Sequence, residues 1–127
     1  MKIEHLAIWV DDLENMKKFY STYFNLKVGE KYTNPKKKFS SYFLSFQQGA
    51  RLELMYLENK ASSESGSESH GGLAHFAIAV GSRETVDRLT ALFKNNGLKV
   101  IDPRTTGDGY YESIVFDPEG NQIELTI

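Results

Sequence analysis

His5-Leu6-Ala7-Ile8-Trp9-Val10 and His75-Phe76-Ala77-Ile78-Ala79-Val80 are two statements of one pattern, 70 positions apart. Each is answered later by a glutamate in a second apolar run. Arg51-Leu52-Glu53-Leu54-Met55 follows the first, and Asn121-Gln122-Ile123-Glu124-Leu125-Thr126 follows the second. His5 to Glu53 is 48 positions and His75 to Glu124 is 49, so the chain reads as a duplicated unit that keeps one His and one Glu in register.

Working outward, both histidine runs alternate as half-buried strands do. Leu6, Ile8 and Val10 share one face, and His5, Ala7 and Trp9 the other; Phe76, Ile78 and Val80 oppose His75, Ala77 and Ala79. Asp11 or Asp12 can cap a following helix, and so can Ser82. Apolar residues then recur at helical spacing: Leu13, Met16, Tyr20, Tyr23 and Phe24 in one copy, Val86, Leu89, Leu92 and Phe93 in the other. Asn25 and Gly97 stand at equivalent stops, where a left-handed residue ends a helix. Leu26-Lys27-Val28 and Leu98-Lys99-Val100 then start the next strand of each copy.

Each copy closes with a hairpin. Tyr42–Phe46 turns at Gln47-Gln48-Gly49-Ala50 into Arg51–Leu57, and Ser113–Phe116 turns at Asp117-Pro118-Glu119-Gly120 into Asn121–Ile127. Asp, Pro and Gly at the first, second and fourth positions suit a type I turn. The reading is therefore an α+β fold of two βαβββ modules, about 1–57 and 73–127, forming one domain. A polar, serine-rich linker, 58–72, joins them and contains His70, read as solvent-exposed.

The bulk numbers bound the function. A chain of 127 residues with 40% hydrophobic and 13% aromatic residues can bury a sizeable core. A formal charge of −2 gives no basic footprint for nucleic acid. Absence of cysteine excludes disulfides, thiolate metal sites and a cysteine nucleophile. No apolar run reaches a membrane span of roughly 18 residues, and the first residues do not read as a signal peptide, so a cytoplasmic protein is expected.

Larger apolar residues on one strand face are expected to pack on the helices. The other face of each module then presents one His, one Glu and small alanines. Two imidazoles and two carboxylates without sulfur suit Zn²⁺ or Ni²⁺, with Co²⁺, Mn²⁺ or Fe²⁺ as further candidates. Four protein ligands make either a closed tetrahedral site or an octahedral site with two open positions; sequence leaves both open. Arg51 shares the face of Glu53 and can pair with a carboxylate or bind substrate. Gly107-Asp108-Gly109-Tyr110-Tyr111 is a turn whose two aromatics can line a pocket mouth, and Lys36-Lys37-Lys38 reads as a solvated loop.

At this point the chain resembles the vicinal oxygen chelate superfamily of glyoxalases, bleomycin resistance proteins and dioxygenases. The resemblance runs through His5-Leu6-Ala7-Ile8 with Asp11-Asp12-Leu13-Glu14 and Phe19-Tyr20, Arg51-Leu52-Glu53-Leu54, His75–Val80, and Phe116-Asp117-Pro118-Glu119-Gly120-Asn121-Gln122-Ile123-Glu124-Leu125. It implies a curved, half-barrel mixed sheet. The order His, Glu, His, Glu is similar to bacterial glyoxalase I, which implies His5, Glu53, His75 and Glu124 as metal ligands. Glu124 is then the proton carrier and Glu53 its pseudo-symmetric counterpart. The implied reaction is a metal-dependent lyase or isomerase step on the thiohemiacetal of a 2-oxoaldehyde, through an enediolate, in a detoxifying homodimer. Glutathione-using relatives carry Arg four residues after the first His and Asn four after the first Glu; Trp9 and Leu57 stand there in this chain. Trp9 would make that wall apolar. Two other classes fit the scaffold: a thiol transferase or resistance enzyme, and a metal-free protein that sequesters a small molecule.

Overall fold

The computed structural model describes residues 3–58, 75–107 and 109–127. The chain divides into two compact units, Met1–Gly66 and Ser67–Ile127. Of the linker read from sequence, residues 59–72, with His70, lie outside the described residues. Among the described residues, no helix is long and apolar enough to cross a membrane.

The first unit contains β1 (His5–Trp9), α1 (Leu13–Phe24), β2 (Lys27–Val28), β3 (Tyr32–Asn34), β4 (Phe39–Ser45) and β5 (Arg51–Leu57). Its sheet runs β1-β5-β4-β2, with β3 also paired to β4. β1 and β5 are parallel, whereas β4 is antiparallel to β5, β2 and β3. The second unit contains β6 (Phe76–Ala79), α2 (Arg83–Asn95), β7 (Val100–Thr105), β8 (Tyr111–Phe116) and β9 (Gln122–Thr126), with sheet order β6-β9-β8-β7. β6 is parallel to β9, and β8 is antiparallel to both neighbours. Two mixed sheets, neither closed, with one helix each make the α+β class expected from the sequence.

The first unit has one strand more than the βαβββ reading, and the register explains it. Val28 pairs with Leu44 and Tyr32 with Ser41; in the second unit Val100 pairs with Val115 and Arg104 with Glu112. β2 and β3 together thus occupy the place of β7. The ladder is broken at the same point in both: Gly29-Glu30-Lys31 interrupts one, and a register shift between Ile101 and Arg104, at Asp102-Pro103, interrupts the other. Proline cannot donate to a ladder and is tolerated there because β7 is an edge strand.

Helix ends follow the sequence. The Asp12 carboxylate accepts from the Asn15 amide at 2.9 Å and the Ser82 hydroxyl from the Thr85 amide at 3.2 Å. Asn25 (φ 52°) and Gly97 (φ 75°) take the left-handed conformation that stops each helix. Leu13, Met16, Phe19 and Tyr20 are buried under the first sheet, with Leu44, Leu52 and Leu54 opposite; Val86, Leu89, Thr90 and Phe93 meet Val115, Ile123 and Leu125 in the second. Leu92, expected on the buried stripe, is instead 41% exposed. At 3.6 residues per turn Thr90 takes the inward place, its hydroxyl bonded to Val86 O (2.7 Å) and Ser113 Oγ (2.6 Å).

The Asp117-Pro118-Glu119-Gly120 turn closes with Gly120 N–H donating to Asp117 O at 3.0 Å. The Asp117 carboxylate also accepts from Glu119 N, Asn121 N and Asn121 Nδ2. That locks the register of β9, and β9 carries Glu124.

Candidate functional site

The parallel pairing in each sheet decides where the His/Glu pairs sit. In the first unit Ala7 is the strand partner of Glu53; in the second Ala77 is the partner of Glu124. Each histidine lies two residues before that alanine, hence on the same sheet face as the glutamate and next to it. The loop lengths differ by one residue, yet the local arrangement is the same. Both pairs occupy the face away from the helix, because Leu52, Leu54, Ile123 and Leu125 fill the other side.

The separations follow. His5 Nε2 is 3.8 Å from Glu53 Oε2, and His75 Nε2 is 3.3 Å from Glu124 Oε2. The glutamate side chains are sheltered, at 14% and 18% exposure, while the histidine rings keep an open edge. With bonds of about 2.1 Å to one ion, two ligands stand roughly 3.0 Å apart at a right angle and roughly 3.4 Å at the tetrahedral angle. The second pair has that span and the first is slightly wider. Each unit therefore supplies two neighbouring N and O donors of a kind that suits a borderline divalent ion. Among the described residues, no three His, Asp or Glu side chains converge.

The two pairs differ in what surrounds them. In the first unit, His5 Nδ1 lies 2.5 Å from Glu4 Oε2, and the other Glu4 oxygen takes Arg51 Nε at 2.7 Å and Nη2 at 2.5 Å. The hydrogen bond to His5, with Arg51 adding to it, holds the Glu4 carboxyl below the usual range. Phe43, the strand partner of Glu53, meets the edge of the His5 ring at 5.3 Å and lies beneath the Arg51 guanidinium at 4.1 Å. In the second unit, burial pushes the Glu124 carboxyl above the usual range, and the nearby Glu112 carboxylate pushes it further, against the opposing effect of His75. Glu112 is itself buried and takes Arg104 Nη2 at 3.1 Å.

Of the other residues singled out in the sequence, Trp9 lies on the His5 face, 46% exposed, edge-on to Phe39 at 6.3 Å. Arg51 is on the expected face but is committed to Glu4. Tyr110 is exposed. Tyr111 shares the face of Ser113 and Leu125, opposite to Glu124. Its hydroxyl bonds Asp87 at 2.6 Å and its ring lies under Arg83 at 4.2 Å, which directs it to α2 rather than to the pair. Lys38 of the lysine run pairs with Glu58 at 3.1 Å. A shallow depression of about 320 Å³ near the start of α1, lined among others by Asp11, Glu14, Lys31 and Tyr56, lies on the helix side of the first sheet, and neither His5 nor Glu53 lines it. Sequence reading missed Glu4, Phe43, Arg104 and Glu112. For Glu112, alternation along β8 was the available signal, since Glu112, Ile114 and Phe116 share the face of Glu124.

Comparison with known proteins gives the family of the chain. The family model of the Glyoxalase/Bleomycin resistance protein/Dioxygenase superfamily matches residues 2–125. The chain belongs to this superfamily. Within it, lactoylglutathione lyase GLX1 of Arabidopsis thaliana is 31% identical over 126 residues, which cover 95% of this chain and 42% of that protein. The chain thus spans less than half the length of this curated relative. Glyoxalase I of Zea mays superposes with a TM-score of 0.80 at 28% identity, covering 98% of this chain and 44% of that one. The trypanothione-dependent glyoxalase I of Leishmania major gives 0.77 at 29% identity, covering 99% and 86%.

Proposed function

We propose that this superfamily member is a glyoxalase I-type lyase that isomerises the thiohemiacetal of a 2-oxoaldehyde to a 2-hydroxyacyl thioester, using one divalent ion, Zn²⁺ or Ni²⁺ before Co²⁺, Mn²⁺ or Fe²⁺. The observation that carries this reading is the repeated His/Glu pair, in identical strand register in both units, at 3.8 and 3.3 Å. His5, Glu53, His75 and Glu124 would hold the ion, with both pairs serving one centre. When bound, the ion supplies Lewis acidity toward neighbouring substrate oxygens.

The chain's own residues carry the proton. Glu124 would take it from the carbon bearing sulfur, leaving an enediolate, and return it to the adjacent carbon, so that no proton or electron is lost. A carboxyl raised by burial and by Glu112 suits a group that must hold a proton briefly. Glu53 is the pseudo-symmetric counterpart, and His5 and His75 stay fixed. Trp9 and Phe39 would give the first unit an apolar wall beside the centre. The edges of each unit's sheet suit pairing of two copies into a homodimer, and the reaction would serve detoxification.

The test is turnover of methylglyoxal by purified, Ni²⁺- or Zn²⁺-loaded protein with a panel of thiols, glutathione included. Thioester should form with at least one thiol and disappear in Glu124→Gln. No isomerisation with any thiol under either metal would remove the lyase assignment.

A further inference from the structure

We infer that Glu4 is the positioning residue of the first unit: it holds the His5 ring by Nδ1, fixes which ring nitrogen carries the proton, and leaves Nε2 bare and aimed toward Glu53. This inference rests on the reading of His5 as an ion ligand and goes beyond it, because Glu4 supplies no donor to the centre.

The contacts divide the work. One Glu4 oxygen faces His5 Nδ1 at 2.5 Å. The other is occupied by Arg51 through Nε at 2.7 Å and Nη2 at 2.5 Å. Arg51 is the strand partner of His5, and its amide donates to the Glu4 carbonyl at 2.9 Å, so backbone and side chain pin Glu4 to β5 together. The Arg51 guanidinium lies on Phe43 at 4.1 Å, and the same ring takes the edge of His5 at 5.3 Å. A neutral imidazole has one N–H and one bare nitrogen. An acidic acceptor on Nδ1 keeps the proton there, so the lone pair on Nε2 faces Glu53 Oε2 at 3.8 Å. Histidines that bind metals are typically held in this way through the other nitrogen, which fixes the ring and raises its basicity. Glu4 has no counterpart at the equivalent position of the second unit, where Ala74 precedes His75.

Two measurements on the full chain test it. In ion-free protein at a pH where imidazole is neutral, long-range ¹⁵N–¹H spectra read the tautomer of each ring. Wild type should show His5 protonated on Nδ1. Glu4→Ala should move His5 toward a tautomer mixture and leave His75 unchanged, and Glu4→Gln, which keeps a side-chain carbonyl acceptor, should restore much of the wild-type signal. In a Ni²⁺ titration Glu4→Ala should bind about 10–100-fold more weakly than wild type, with Glu4→Gln between them. Glu4 is exposed, so the melting temperature of the ion-free variants should hardly change. His5 ring signals that are the same in wild type and Glu4→Ala would overturn the inference. Wild type that binds no Ni²⁺ while its His5 tautomer still depends on Glu4 would instead sink the ion-ligand reading and leave the contact standing.

Discussion

Replacing Glu124 by Gln should change stability with opposite signs in ion-free and ion-loaded protein. Without the ion, Glu124 is sheltered, and on β9 it lies diagonal to Glu112 on β8: Glu124 pairs with Ile114, and Glu112 with Thr126. Burial and the like charge of Glu112 on the neighbouring strand both disfavour the ionised form, so the neutral amide should stabilise the ion-free fold by up to about 1 kcal/mol near neutral pH. With the ion, linkage dominates. At a free concentration of about 100 times Kd, binding adds about 2.7 kcal/mol to wild type. Loss of a direct ligand should weaken binding by at least about 100-fold, leaving the variant a gain of roughly 0.4 kcal/mol or less. For a chain of this size that corresponds to a rise in Tm of about 10 °C for wild type and at most about 2 °C for the variant. Thermal melts of both proteins with chelator and with Ni²⁺ read the crossing directly. A variant that melts lower than wild type by the same margin in both conditions would refute the reasoning, since Glu124 would then be an ordinary structural residue.

Two further outcomes test the fold. Leu54 is fully buried between Ile8 and Tyr42 in the ladder, so Leu54→Ala should cost about 2–5 kcal/mol, read as a lower urea midpoint with unchanged slope. Hydrogen bonds from Lys17, then Lys31 and Tyr42, hold the Glu14 carboxyl at about 2, against an ordinary value of 4.5. Its stabilisation is therefore complete above 4.5 and lost as pH falls toward 2. Because the side chain is half exposed, solvent screening limits the effect to about 1 kcal/mol or less, and Glu14→Gln should flatten that part of the acid limb in urea melts taken across the window.

Much of the fold was legible because each signal had a local cause. Asp12, Ser82, Asn25 and Gly97 act within a turn of their own helices, and Asp117 within its own turn. Alternation in the two His runs assigned the faces correctly. The interrupted strand was not legible: Tyr32 and Thr33 are exposed, so no apolar period marks β3. Leu92 was misplaced because Leu outranks Thr as a core residue on any hydrophobicity scale, and the Val86 carbonyl and the Ser113 hydroxyl together make Thr90 a good one. The His/Glu pairing emerged from the repeat spacing. The groups beside the pairs did not, since Arg104 and Glu112 are cross-strand partners, and Arg51, the strand partner of His5, reaches back to Glu4; both meetings depend on register. Tyr111 has the same origin: one step along β8 puts a side chain on the opposite face.

The central claim, that both His/Glu pairs serve one ion, is tested most directly by counting. Calorimetric titration of chelator-stripped wild type, Glu53→Gln and Glu124→Gln with Ni²⁺ should give one ion per wild-type chain and a drastic loss of affinity in each single variant. Two ions per chain, with each variant keeping one at full affinity, would mean that the pairs act independently, and would contradict the account.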